Sequence, residues 1–291
     1  MMQKDLSAIK DSIYLKATGV VVTMGQDIIK EFMRLAARSK SRVGIGVGEY
    51  NPSLLRVAAE VQRFSDLVFV GNIEEAGHEV VVTSDPERKL VEMLVDGSID
   101  AAVRGTISAR KTLHELKQQT GAKKICRSAL LSTSDARQFF LLPIGIDEGV
   151  SIFERTRLVM KTAGLLNTLG VAPIVGVLSG GRSEDKGRTG AVDATLATAE
   201  ALTKQLQNVG IDATNYNILI EDAVQSTNIL VAPDGIIGNL IFRTLVFLGG
   251  GKGHGAPFFG IPQTFVDTSR SGSAFADAIL IASALSNLKQ G

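Results

Sequence analysis

Along the whole chain, short runs of aliphatic and β-branched residues alternate with longer segments of helical periodicity. This alternation constrains the fold more than any other feature. Strands separated by helices pair in parallel, and a parallel sheet needs helices over both faces. The expected class is α/β, an α/β/α sandwich with mostly parallel sheets. At 291 residues the chain has room for two lobes. No linker or repeat marks their boundary, and the expected division is 1–121 plus 262–291 for the first lobe and 122–261 for the second.

Strands are expected at Val43–Gly48, Leu67–Val70, Glu79–Thr83, Ile99–Arg104, Gln138–Pro143, Pro173–Leu178, Asn217–Ile220, Ile229–Val231 and Pro262–Val266. Helical spacing covers Pro52–Phe64, Pro86–Val95, Thr106–Gln119, Ile152–Leu169, Gly190–Asn208, Ile236–Leu248 and Ser273–Leu288. Asn51 is a capping residue and Pro52 a first helical position.

The 31 basic and 30 acidic residues nearly cancel, aromatics are sparse and tryptophan is absent. A basic face interleaved with aromatics is missing, so nucleic acid is not an expected partner. The single cysteine, Cys126, excludes an internal disulfide and fits a reducing, cytoplasmic setting. It is either a small buried hydrophobe or a reactive thiol. The longest uncharged apolar stretch, Ala278–Leu285, is far short of the ~20 residues a membrane helix needs, and the first residues lack the apolar core of a signal peptide. A soluble protein with no membrane partner is expected. His78, His114 and His254 are scattered without ligand spacing, so no metal held by protein ligands is expected.

Four segments are candidates for chemistry. Gly44-Ile-Gly46-Val-Gly48-Glu49 is a poor dinucleotide fingerprint; close packing of a strand–turn–helix unit explains it better, with Glu49 at the strand's carboxyl end. Gly249–Gly255 departs from a P-loop, since Gly253 follows Lys252. It is either a flexible loop presenting Lys252 and His254 or a plain helix-terminating loop. Leu178–Gly190, with Ser179, Gly180 and Arg182, has the composition of an anion-binding loop, though Glu184 and Asp185 offset two of its cations.

The fourth is Asp267-Thr-Ser269-Arg270-Ser271-Gly-Ser273, before the last helix. Exposed backbone NH groups, hydroxyls and a guanidinium there form a phosphate site. Asp277 lies one turn inside that helix. Burial would raise its pKa and make it a general base; the alternative is favourable charge placement near a helix N-terminus.

These residues resemble motifs of the phosphate acetyl/butyryltransferase superfamily. Val43–Ala59 resembles its first strand and acidic turn, Val70-Gly71-Asn72 its IGN step, and Asp96–Gly105 its GxADGxVSG segment. Leu178–Gly190 is similar to its LSxSTxGS loop, Pro233–Asn239 to its PDxxxGN turn, and Asp267–Arg270 to DLSRG. Within the superfamily the chain looks closest to a methanogen group, methanogenesis marker protein 4, named as a methyltransferase subunit. The resemblance implies a two-lobed fold of the phosphotransacetylase and isopropylmalate dehydrogenase type, a homodimer, and a site in the interlobe cleft. It implies that Ser269 and Arg270 bind phosphate. The position of the family's catalytic aspartate falls on Ala276, with Asp277 beside it, and Gly180-Gly181-Arg182 replaces the family's Ser-Thr. Arg104 replaces a small residue and suggests a more anionic substrate.

The leading expectation is a phosphate acyltransferase-like transferase acting on a small anionic metabolite: phosphate, an acyl phosphate or an acyl-coenzyme A. Coenzyme A is then a co-substrate, and no permanently bound cofactor is expected. Asp277, Arg270 and Thr106 are the candidate catalytic residues, Thr106 by offering a hydroxyl to an oxyanion. Ser269, Arg270, Ser271, Ser273, Ser179, Gly180, Arg182, Asn239 and Glu49 are the candidate substrate contacts. Two alternatives stand beside it. One is a methyltransferase-associated protein of methanogenesis, working with methyltransferase subunits and a corrinoid partner. The other is a non-catalytic sensor of a phosphorylated metabolite.

Overall fold

The computed structural model describes residues 27–48, 52–73, 78–269 and 275–290. Glu49, Asn51, Arg270, Ser271 and Ser273 lie outside the described residues. The chain opens with α1 (Ile28–Ala36), β1 (Ser41–Val47), α2 (Pro52–Val61), β2 (Ser65–Gly71), β3 (Glu79–Val81), α3 (Pro86–Val95), β4 (Ala101–Val103), α4 (Ala109–Thr120), β5 (Cys126–Arg127) and β6 (Ala129–Ser132). It continues with β7 (Gln138–Leu142), α5 (Ile152–Thr168), β8 (Ile174–Leu178), α6 (Gly190–Asn208), β9 (Asp212–Asn217), α7 (Ile220–Ser226), β10 (Ile229–Val231) and α8 (Gly235–Phe247). It closes with β11 (Lys252–Phe259), β12 (Thr264–Asp267) and α9 (Phe275–Gln290).

Two compact units result. One comprises Ile29–Leu130 and Lys252–Gly291, the other Met1–Ile28 and Leu131–Gly251. The chain therefore passes between them at 28/29, 130/131 and 251/252; the sequence suggested 121/122 and 261/262.

In the first of these units the strand order is β3-β2-β1-β4-β12-β11. Neighbours from β3 to β12 are parallel, and β11 is antiparallel to both β12 and β5. Strand alternation divides the core. Val68, Val70, Ala102 and Phe265 pack with Leu90, Val91, Met93 and Leu94 of α3 and Leu116 of α4. The alternate residues, including Val43, Ile45, Phe69, Val103 and Val266, are equally buried, and α9 packs on β1, β4, β11 and β12. The glycines of β1 serve close packing: a Cβ at Gly44 would lie 2.6 Å from Ile99 Cδ1.

In the other unit the order is β7-β10-β8-β9, all parallel. Here α5 packs on β7 and β10, α6 and α7 on β8 and β9, and α8 on β7. The start of α8 shows why its sequence reads Pro-Asp-Gly-Ile-Ile-Gly-Asn. Asp234 caps the helix by accepting from the Ile237 N–H at 2.8 Å. Gly235 and Gly238 let the helix lie directly on the 143–145 backbone. A Cβ at Gly235 would stand 1.7 Å from Gly145 O, and one at Gly238 1.9 Å from Pro143 O.

Two local expectations need correction. Lys252–Phe259 is a strand, not part of a flexible loop; the helix-terminating loop ends at Gly251. Asn217–Ile220 is not a strand: β9 ends at Asn217, and Ile220 begins α7.

Candidate functional site

Strand order reverses at β1. The chain goes from β1 outward to β2 and β3, then returns to place β4 on the other side of β1. Between β1 and β4, beyond their carboxyl ends, is the position where open α/β sheets bind ligands. Two segments are tied together there. The Thr106 N–H donates to Gly46 O at 3.0 Å, and the Gly48 N–H donates to Thr106 Oγ1 at 3.0 Å. Gly105 makes the approach feasible. Its φ is +61°, and a Cβ would fall 2.1 Å from Gly46 O. A third segment joins from β12, where the Thr268 hydroxyl donates to Gly105 O at 3.0 Å. The next residue, Ser269, is partly buried. Gly48, Gly105-Thr106 and Thr268 thus meet at the ends of three adjacent parallel strands.

Directly beneath lies a buried charge cluster. Both β4 and β12 end there in parallel register, Val266 beside Val103, so the following residues, Asp267 and Arg104, are neighbours. Asp267 Oδ1 accepts from Arg104 Nε, while Oδ2 accepts from Arg127 Nη1 at 2.5 Å. Arg104 Nη1 also donates to Ile107 O at 2.9 Å. The Thr268 N–H donates to Asp267 Oδ1 at 2.9 Å. Burial alone would raise the Asp267 carboxyl, but the charges of Arg104 and Arg127 and their hydrogen bonds outweigh it and hold Asp267 below the ordinary carboxylate range. Arg104 is therefore buried and ion-paired within the fold, which removes the basis for reading it as a free charge directed at an anionic substrate.

A second cluster stands where α9 crosses β11. Lys252 and His254, two residues apart on the strand, both reach Asp277. The Lys252 Nζ and His254 Nδ1 each lie 2.7 Å from Asp277 Oδ2. The His254 side chain is only 7% exposed and that of Asp277 19%. Burial pushes the Asp277 carboxyl up, yet the hydrogen bonds and charges of His254 and Lys252 together leave it below the ordinary value. The expectation of a raised pKa at Asp277 is thus reversed. Sequence periodicity alone did not show that Lys252 and His254 of β11 would meet this carboxylate.

The remaining candidates belong to the other unit. In the Leu178–Gly190 loop, Ser179 Oγ donates to Gly181 O at 2.9 Å, and the Gly180 N–H is accepted by Thr195 Oγ1 at 2.9 Å. The Arg182 N–H goes to Asp185 Oδ2 at 2.8 Å, and that of Gly187 to Asp193 Oδ1 at 2.7 Å. Acceptors from the fold itself occupy these backbone donors. The Arg182 side chain remains more than half exposed, 3.9 Å from Glu184. Asn239 Nδ2 donates to Ile144 O at 3.0 Å, reinforcing the seat of α8. Among the described residues, no group of three or more His, Cys, Asp and Glu is arranged to hold a metal. No described helix is long and apolar enough to cross a membrane.

The fold is that of the phosphotransacetylases. A branched-chain phosphotransacylase from Enterococcus faecalis matches with a TM-score of 0.64 at 17% identity, over 85% of this chain and 99% of that one. At that identity the likeness shows the fold alone. No protein-family model matches the chain. Two archaeal sequences carry the assignment further. A "Putative methyltransferase mtx subunit X" of Methanosarcina acetivorans is 49% identical over 260 residues, 87% of this chain and 93% of its own length. Its namesake in Methanosarcina mazei is 47% identical over 262 residues, 88% of this chain and 94% of its own length. The chain belongs to this mtx subunit X family.

Proposed function

We propose that the protein is a transferase that binds phosphate or a phosphorylated acyl metabolite beyond the carboxyl ends of β1, β4 and β12, with coenzyme A as co-substrate. The observation that carries this reading is the convergence of Gly48, Gly105-Thr106 and Thr268 at the reversal of strand order, with Ser269 following directly. Open α/β sheets bind ligands at that position. The Gly48 and Thr106 N–H groups and the Thr268 hydroxyl already donate within the fold, so they frame the position, and Ser269 with Arg270 are the groups proposed to meet the anion. The cation cluster of Arg104 and Arg127 around one carboxylate, Asp267, fixes the segment from which Ser269 and Arg270 continue. A phosphotransacetylase-type fold supports acyl transfer to phosphate. The test is phosphate-dependent release of free thiol from acetyl-coenzyme A, with phosphate affinity measured by calorimetry in the wild type and in Arg270→Ala. Loss of phosphate binding in the variant supports the site; unchanged affinity refutes it.

The name borne by the relatives favours a second reading, a subunit of a methyl-transfer assembly. In that case the same anion site would hold a metabolite, and a partner methyltransferase subunit would carry the methyl group, with a corrinoid on that partner. Co-purification of methyltransferase subunits, together with no thiol release, would favour it.

A further inference from the structure

The helix α8 is apolar over most of its length, yet the residues it buries completely are two glycines, Gly235 and Gly238. Those glycines seat it on the 143–145 backbone, and large apolar side chains are left outward. Ile236, Leu240, Arg243 and Phe247 follow at intervals of four, three and four residues, so they form one stripe along the helix. All four are exposed, and Leu248 extends the stripe past the helix end. At its start stands a turn closed by the Glu148 N–H, which donates to Gly145 O at 2.9 Å. This turn carries Ile146 and leads to Val150. A Cβ at Gly235 would lie 3.1 Å from Glu148 O, so the turn and the first residues of α8 are adjacent. Ile146, Val150, Ile236, Leu240 and Leu248 are each more than half exposed, and Phe247 is 38% exposed. Together these side chains present roughly 600–700 Å² of apolar surface. That is more than soluble monomers ordinarily leave in one patch and close to the ~800 Å² each partner buries in a standard interface.

We propose that this surface joins two copies of the chain across a two-fold axis, α8 against α8. A two-fold interface uses the same patch on both sides, so each charge in it must meet its opposite. The stripe holds one exposed cation, Arg243, and the turn at its start one exposed acid, Asp147; neither forms an ion pair among the described residues. Within one copy, eight residues separate Arg243 from Gly235 at the turn, about 12 Å along the helix. Between two antiparallel copies the separation closes. With the axis at Leu240, Arg243 lies three residues, about 4.5 Å, beyond it and faces the Ile237 position of the other copy, beside the turn that bears Asp147. Each guanidinium then meets the other copy's Asp147 carboxylate at the rim. The two Leu240 side chains pack together at the axis, and Phe247 of each copy reaches toward Ile146 and Val150 of the other. One cation and one acid so placed favour a second copy over a different protein as the occupant. The assignment does not depend on the acyl-transfer reading.

The test is the oligomeric state of the full chain, measured by sedimentation velocity with fluorescence detection from nanomolar to high micromolar concentration. The wild type is expected to sediment at twice the chain mass. Leu240→Glu sets two carboxylates together at the axis and should raise the dimer Kd about 10²-fold or more. Arg243→Glu and Asp147→Arg should each raise it about tenfold, and the two combined in one chain should return it to within a few-fold of wild type. Circular dichroism establishes that the variants are folded. Leu248→Glu, beyond the helix end and at a side chain 85% exposed, serves as the second substitution should Leu240→Glu not fold. A wild type that stays monomeric throughout, whether or not another protein binds it, overturns the proposal. So does Leu240→Glu dimerising as tightly as wild type, or a double charge exchange that dimerises no better than either single one. Open-ended growth into larger species overturns it as well, because a two-fold contact closes on itself.

Discussion

Replacing Asp267 by Asn probes the buried cluster that fixes the end of β12. The side chains of Arg104, Arg127 and Asp267 are 7%, 15% and 11% exposed, so solvent gives little screening. Asn keeps the shape and one acceptor oxygen. Its NH₂ group, however, faces a guanidinium, donor against donor, and the pair of cations loses its counter-charge. Breaking a buried ion pair by removing one partner costs about 3–5 kcal/mol. For a chain of this size, roughly 2–4 °C accompany each kcal/mol, so Tm should fall roughly 6–20 °C. The effect also has a sign in pH. Asp267 is held below its unfolded value, so its contribution is complete above that value, about 3.9, and is lost as pH falls toward the folded pKa. The difference between wild type and Asp267→Asn should therefore be full at pH 7 and shrink below about pH 4. Urea unfolding by circular dichroism from pH 3 to 7 measures it. Hydrogen exchange should place the loss in β4 and β12 and spare β7 and β10. A cost under about 1 kcal/mol at pH 7, or a difference independent of pH, would refute the reasoning.

Three further substitutions test the geometry. Gly105→Ala puts a Cβ against Gly46 O at a left-handed φ and should cost well over ~1 kcal/mol in thermal unfolding. Thr106→Val removes the acceptor for the Gly48 N–H and should cost about 1–3 kcal/mol, while Thr106→Ser retains it and should stay near wild type in the same melt. Gly238→Ala drives a methyl into Pro143 O; limited proteolysis should then cut first within the 131–251 unit and leave β1, β4 and β12 protected.

Some elements were fully legible in the sequence, and the reason is local. Pro86–Val95, Gly190–Asn208 and Ile229–Val231 occur as expected, because strong periodicity or a β-branched run is bounded there by clear stop and start residues. Other elements carry no such mark. Lys252–Phe259 contains Gly253, Gly255 and Pro257, which argue against a strand, and it is pairing with β12 and β5 that makes it one. Asp212–Asn217 is polar because β9 ends its sheet, and the apolar run after it, Ile218 to Ile220, draws the strand reading three residues past its end at Asn217. At the site, the hydroxyl and glycine segments were readable as sequence, but their partners were not. Arg104 and Asp267 meet through parallel register across 163 positions. Asp277 meets His254 because a helix crosses a strand. The one local trace of that contact was the two-residue spacing of Lys252 and His254, the period of a strand face.

The central claim is transfer of an acyl group between phosphate and a thiol at the ends of β1, β4 and β12. Its most direct measurement is free-thiol release when the purified full chain is mixed with acetyl-coenzyme A and inorganic phosphate. The account predicts release that saturates with phosphate, yields acetyl phosphate in equal amount, and disappears in Ser269→Ala with Arg270→Ala. Release independent of phosphate, or none across acetyl-, propionyl- and butyryl-coenzyme A, would contradict it.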